Sequence, residues 1–281
     1  MKNTIPEVIL NDGLALPRVG FGTYTLNGAA GVQAILSAIN IGYRLLDSAF
    51  NYENEGVVGE AVRRSFIPRE QLLITSKLPG RHHSYNEAIT TIQESLYRAN
   101  LDYYDLYLIH WPNPIKNLYV EAWQALIDAK KWGLIRSIGV CNFLPEHIER
   151  LIQETGVIPS INQIELHPFF SQKEQLIYNQ KHGIITESWS PLGRKNTLLM
   201  ENKELLRIAE THHKSISQII LRWHIQLGSI PIPKSSSPKR QLENLALFDF
   251  TLSEQDMMMI STLNQENGRL ANQNPASYEE F

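Results

Sequence analysis

Arg44-Leu-Leu-Asp-Ser-Ala-Phe-Asn-Tyr52 sets an aspartate and a tyrosine just past an apolar run. The arrangement returns twice: Lys77 closes Leu72-Leu-Ile-Thr-Ser-Lys77, and His110 closes Leu106-Tyr-Leu-Ile-His110. An acid, a phenol, an amine and an imidazole at the ends of separate strand-like segments meet in space only if those strands run parallel. The pattern therefore predicts an α/β fold whose chemistry sits at the carboxyl edge of a parallel sheet.

Outward from these segments, strand candidates fall near 19–23, 44–48, 72–77, 106–110, 136–141, 161–166, 184–189 and 229–233. Amphipathic stretches follow near 29–41, 55–65, 84–100, 118–131, 146–155, 172–182, 201–211 and 238–247. Strand-then-helix units at roughly 30-residue spacing predict a (β/α)8 barrel, with all 281 residues in a single domain. The strands are continuous apolar runs, as expected when both faces are covered. A doubly wound open sheet shares this alternation, but Gly20-Phe-Gly22-Thr-Tyr-Thr25 lacks the third glycine of a dinucleotide fingerprint. Val8-Ile-Leu, Asn11-Asp-Gly13 and Leu14-Ala-Leu read as an N-terminal hairpin on a type I′ turn. Two extra helices are predicted, Ser215 to Gln226 and Ser253 to Leu263, and the polar tail from Asn264 to Phe281 is expected as a loop over the barrel mouth or partly disordered.

A net charge of -3 gives no reason to expect nucleic acid or an anionic membrane as partner, so any anion site is built locally. One cysteine, Cys141, leaves no internal disulfide and fits a reducing compartment. No signal-like start and no apolar run of about 18 residues is visible, so a cytoplasmic location is expected, and with no obvious heptad or exposed edge a monomer is expected. The doublets His82-His83 and His212-His213 lack the i, i+4 spacing of helix-borne metal ligands and read as surface residues, and no metal site is expected. His167 is assigned no chemistry.

The four polar residues suit proton delivery to a carbonyl oxygen. A tyrosine is a reluctant acid at an ordinary pKa of roughly 10. A neighbouring ammonium lowers that value, so Lys77 is expected to tune Tyr52 and Asp47 to hold Lys77 charged. His110 is suited to orienting the oxygen. Each residue alone also fits an ordinary structural role; their joint occurrence after consecutive strands favours catalysis. A Schiff-base lyase at Lys77 and a dinucleotide-binding sensor with little turnover are the other classes compatible with the pattern.

Gly42-Tyr-Arg-Leu-Leu-Asp-Ser-Ala-Phe-Asn-Tyr-Glu-Asn-Glu-Gly56, Ile74-Thr-Ser-Lys-Leu78, Asp105-Leu-Tyr-Leu-Ile-His-Trp-Pro112 and Ile232-Pro-Lys-Ser-Ser-Ser-Pro-Lys-Arg-Gln-Leu-Glu-Asn244 resemble the aldo-keto reductase superfamily, in its order and spacing. The likeness runs from Leu14 to about Leu263 and is strongest to the microbial branch with 2,5-diketo-D-gluconate and methylglyoxal or broad carbonyl reductases. It implies an NADPH-dependent reductase of aldehydes and ketones, with Tyr52 as general acid, Asp47 and Lys77 tuning it, and His110 orienting substrate.

The resemblance also implies a dinucleotide across the barrel mouth. Ser237-Pro238 reads as an N-cap followed by proline at the first helical position, so that a helix N-terminus with Lys234, Ser235 and Arg240 forms a pocket for a 2′-phosphate. Arg240 would lie beside the adenine, with Glu243 and Asn244 on its edge. Asn142 and Gln163 would hold the nicotinamide carboxamide, and Trp189 would stack on its ring. Ser190, Leu192 and Gly193 would line the pyrophosphate, and Thr23 and Asp47 the ribose. Many relatives carry serine where this chain has Cys141. Tyr24, Trp111 and the tail are expected to shape the pocket for a small carbonyl substrate.

Overall fold

A computed structural model describes residues 5–281. Glu7–Ile9 (β1) and Ala15–Pro17 (β2) pair antiparallel as a hairpin. Its turn differs from expectation. The Gly13 N–H donates to Leu10 O at 3.0 Å, and Gly13 is left-handed at φ 90° while Asp12 is not. That is a three-residue loop with glycine at the bulge, whereas type I′ requires positive φ at both central residues.

Eight strands then form one parallel sheet: Phe21–Gly22 (β3), Leu45–Asp47 (β4), Leu73–Leu78 (β5), Tyr104–Ile109 (β6), Ile135–Cys141 (β7), Ile161–Glu165 (β8), Ile185–Trp189 (β9) and Ile230–Pro231 (β10). Neighbours in sequence are neighbours in the sheet, from β3 to β10. Helices follow in turn: Gly28–Ile41 (α1), Glu55–Arg64 (α2), Tyr85–Ala99 (α3), Tyr119–Lys131 (α4), Pro145–Thr155 (α5), Lys173–Lys181 (α6), Thr197–Met200 (α7), Lys203–His212 (α8), Ile216–Gln226 (α9), Pro238–Leu245 (α10) and Glu254–Ser261 (α11). The two extra helices are α9 and α11. Ser215 and Ser253 cap them, each accepting from the amide of the third helical residue.

The first and last strands of the sheet are shorter than their sequence suggests, for a local reason. Pro231 and Pro233 carry no N–H, so a two-way ladder cannot propagate there. Backbone bonds nevertheless join the two edges: Gly20 N–H donates to Pro231 O and Gly22 N–H to Pro233 O, both at 3.1 Å. A Cβ on Gly22 would sit 3.1 Å from Ile232 O, so this approach suits glycine.

Period-two alternation divides the core. On β6, Tyr107 and Ile109 pack outward with the helices, while Leu106 and Leu108 face inward. The inner cluster joins Leu45, Cys141, Ile161 and Ile230, and Leu10 and Leu16 of the hairpin close its lower end. Carried to the carboxyl ends of the strands, the same parity puts Asp47, Lys77, Cys141, Gln163, Glu187 and Trp189 on the inner face. No helix is long and apolar enough to cross a membrane among the described residues.

Candidate active site

Asp47 ends β4 and Lys77 lies one residue before the end of β5. Both are buried, and Lys77 Nζ donates to Asp47 Oδ1 at 2.7 Å, to Oδ2 at 2.8 Å and to Ser48 O at 2.6 Å. Burial opposes a charged amine, but the Asp47 carboxylate outweighs it and holds Lys77 above the ordinary lysine range. Tyr52 closes a short 3-10 turn after β4, with its ring centre 5.0 Å from Lys77 Nζ. His110 follows β6 directly, its N–H donating to Leu78 O at 3.0 Å, and its ring meets Tyr52 edge-on at 5.9 Å. The four residues predicted from strand ends therefore converge.

One expectation about them is corrected. Burial pushes the Tyr52 phenol up, to about 12, and Lys77 only offsets part of that rise. The residue as a whole is half-exposed at the rim, but desolvation at its hydroxyl end is the larger influence. The resting phenol is thus firmly protonated rather than acidified, which is the state a proton donor needs. Burial likewise pushes the Cys141 thiol up, leaving it neutral beneath the site.

The residues expected around a nicotinamide are knitted to this quartet. Asn142, left-handed at φ 61°, donates from Nδ2 to His110 O at 3.1 Å and accepts from Trp189 Nε1 at 2.8 Å. Gln163 Nε2 donates to Asp47 Oδ2 at 2.9 Å and to Glu187 Oε2 at 3.0 Å. Thr23 Oγ1 donates to Asp47 O at 2.8 Å. Ser190 also takes a left-handed φ of 48°, an uncommon conformation for serine that here turns the chain sharply after β9. Its carbonyl accepts from Gly193 N–H at 2.8 Å, and Leu192 is half-buried beside it.

At the other end of the mouth, Lys234 and Arg240 are exposed, Ser235 and Asn244 buried and Glu243 half-buried. Neither Lys234 nor Arg240 is in an ion pair among the described residues. Ser237 and Pro238 stand at the predicted cap and first helical positions, but the Ser237 hydroxyl makes no cap bond. Ser235 Oγ instead accepts from Ser237 N–H at 3.1 Å. A helix start with no side-chain cap, flanked by two unpaired cations, fits an anion such as a 2′-phosphate.

Tyr24 is 57% exposed and packs edge-on against Tyr52 at 5.0 Å, whereas Trp111 is buried under Tyr278 at 4.5 Å. The tail therefore packs over Trp111 at the mouth. His83 departs from its predicted surface position. It is fully buried, with neither ring nitrogen bonded, and burial lowers its pKa to about 4. His212 pairs with Asp256 at 3.0 Å, and buried His167 bonds Glu165 at 3.0 Å.

Sequence reasoning missed Glu187 and Glu280. Glu187 is buried on the inner face, and burial, helped by the Asp47 charge, pushes its carboxyl up to about 8. Period-two parity with Trp189 was the available signal for it. Glu280 reaches His110 from a tail 170 residues further on, and no local pattern announces that contact.

The chain as a whole is similar to known proteins. The model of the Aldo/keto reductase family matches residues 18–265. The chain is 49% identical over 277 residues to 2,5-diketo-D-gluconic acid reductase B of Corynebacterium sp. (strain SHS752001), covering 99% of both chains. It is 43% identical to methylglyoxal reductase DkgA of Escherichia coli O157:H7, over 92% of this chain and 94% of that one. Among solved structures, a variant of Gox0644 in complex with NADPH superposes with a TM-score of 0.93 at 37% identity, covering 99% of this chain and 100% of that one. With the polar strand ends, their convergence and near full-length identity in agreement, the chain belongs to the aldo/keto reductase family.

Proposed function

We propose that this protein reduces aldehydes and ketones to alcohols with NADPH, as a cytoplasmic monomer folded into one closed (β/α)8 barrel domain. The observation that carries the reading is the buried Lys77–Asp47 pair placed under the Tyr52 ring with His110 edge-on beside it. Barrel closure is supported by the bonds from Gly20 and Gly22 to the two proline carbonyls.

When bound, the reduced nicotinamide supplies the hydride. Trp189, Asn142 and Gln163 hold that ring, Thr23 and Asp47 its ribose, and Ser190, Leu192 and Gly193 the pyrophosphate. Lys234, Ser235 and Arg240 hold the 2′-phosphate, with Glu243 and Asn244 at the adenine. His110 orients the carbonyl oxygen. As negative charge develops on that oxygen, Tyr52 passes it the phenolic proton. An alkoxide is a far stronger base than a phenolate, so a phenol near pKa 12 still donates downhill. Lys77, kept charged by Asp47, then stabilises the phenolate left behind. Tyr24, Trp111 and the tail enclose the small substrate.

The test is NADPH oxidation followed by absorbance over methylglyoxal, a nitrobenzaldehyde, a diketo sugar acid and a steroid ketone. Turnover of at least the small aldehydes is expected. Tight NADPH binding with no turnover on any of them would replace the reductase by a dinucleotide sensor.

A further inference from the structure

Beside the residues expected around the nicotinamide lies an acid that the catalytic quartet does not include. Cys141, Gln163 and Glu187 stand in register across β7, β8 and β9 as one row on the inner face. Glu187 is fully buried, and its side chain has one hydrogen-bond partner among the described residues: Gln163 Nε2 donates to Glu187 Oε2 at 3.0 Å. The other carboxyl oxygen, Oε1, is buried without a partner. A carboxyl in such a place is costly, and burial pushes it up to about 8. An apolar side chain would fill the same space without that cost, so what this carboxyl adds is its hold on Gln163.

That hold completes a count of hydrogens. The Gln163 amide has two N–H donors on Nε2 and one acceptor oxygen. One hydrogen goes to Asp47 Oδ2 at 2.9 Å and the other to Glu187 Oε2. Asp47 Oδ2 also accepts from Lys77 Nζ at 2.8 Å, so turning the amide over would set its carbonyl oxygen against another acceptor. Both donors are thereby spent, and Gln163 Oε1 accepts from no group among the described residues. Asn142 is set the opposite way. Its Oδ1 accepts from Trp189 Nε1 at 2.8 Å, and its Nδ2 gives one hydrogen to His110 O at 3.1 Å, which leaves one N–H free. The two amides together offer a ligand one acceptor and one donor, the complement of a primary carboxamide.

We propose that Glu187 is a positioning residue for the cofactor: by taking the second Nε2 hydrogen of Gln163 it leaves that amide an acceptor alone, so that the site selects the amide N–H of a nicotinamide ring. The proposal rests on the NADPH-dependent reading above, in which Trp189, Asn142 and Gln163 hold the ring. Without Glu187 the freed Nε2 hydrogen is available to a ligand carbonyl, and a ring bearing a methyl ketone in place of the amide is no longer disfavoured.

The experiment measures dissociation constants of the full-length chain for NADP+ and for its 3-acetylpyridine analogue, which keeps the carbonyl and carries a methyl group in place of the amide nitrogen. Quenching of tryptophan fluorescence reads both, without turnover. The wild type should favour NADP+ by about tenfold or more, the effect of leaving a buried acceptor without its donor. Glu187→Met should bring the two constants near equality, and Glu187→Leu is a second apolar variant for the same comparison, with circular dichroism checking that each folds. Glu187→Gln keeps an acceptor for Gln163 and should retain the wild-type preference. In a Gln163→Met background, adding Glu187→Met should leave the ratio where it was. A wild type with no preference, a preference unchanged in the apolar variants, or a further shift in the double variant would overturn the proposal and leave Glu187 as a residue of the core. A wild type that binds NADP+ but turns over no carbonyl sinks the reductase reading separately, while the ratio still decides the part played by Glu187.

Discussion

Lys77 Nζ binds both oxygens of Asp47, at 2.7 and 2.8 Å, while lying 5.0 Å from the centre of the Tyr52 ring. One buried cation thereby serves two anions in turn: the carboxylate at rest, and the phenolate after proton transfer. Because Asp47 holds the lysine charged, Lys77 stabilises the phenolate without itself losing a proton.

Tyr52→Phe removes the transferable proton and leaves the ring packing in place. Carbonyl reduction should fall by about 10²–10⁴-fold, the usual contribution of a positioned general acid. NADPH affinity, read by quenching of tryptophan fluorescence, should stay near wild type. Turnover that survives the substitution would take Tyr52 out of its role.

Arg240→Ala tests the anion pocket at the start of α10. Loss of one charge-assisted contact to a phosphate corresponds to about 1.5–3 kcal/mol, or roughly tenfold to a hundredfold in KM for NADPH. NADH, which lacks the 2′-phosphate, should be little affected. Equal changes for the two cofactors would place the pocket elsewhere.

Asp47→Asn breaks the buried pair and should cost about 3–5 kcal/mol in urea unfolding. The sign with pH separates this from a generic defect. In the wild type the Lys77 pKa lies above its unfolded value, so its stabilisation is complete below about pH 10 and is lost only at higher pH. Without Asp47, burial becomes the dominant influence and the folded pKa drops below the unfolded one. Stability of the variant should then rise from pH 6 to pH 9, where the wild-type pair contributes no slope. A variant with no such rise would mean Lys77 keeps its charge without Asp47.

Glu187→Gln probes the neighbouring acid. A folded pKa near 8, above the ordinary carboxyl value, means the native state binds the extra proton. Stability from this group is present at acidic pH and is lost as pH rises from about 4 through 8. The introduced amide keeps an acceptor for Gln163 and cannot ionise, so the variant should gain about 1–3 kcal/mol relative to wild type at pH 8–9 and little at pH 5. Urea midpoints at the two pH values decide it; a constant difference would refute the shifted titration.

Much of the site is legible in the sequence because its information is local. A polar residue at the end of an apolar run marks a strand end. In a parallel sheet all such ends lie on one edge, so Asp47, Tyr52, Lys77 and His110 can be brought together on paper. The hairpin and the two capped extra helices are local in the same sense, since Ser215 and Ser253 bond within their own first turns.

Non-local energetics needed the tertiary structure. The net shift of Tyr52 is upward because desolvation is set by everything packed around the hydroxyl, which a tally of neighbouring charges omits. His83 is fully buried, and its own doublet does not reveal that. The type of the first turn and the short edge strands depended on whether particular amides had partners. The amino-acid sequence alone determined which side chains end the strands, and so which chemistry is present. Only the folded chain decided that Glu280 returns to His110, because closing so long a loop depends on the tail docking across three loops, and no local period encodes that.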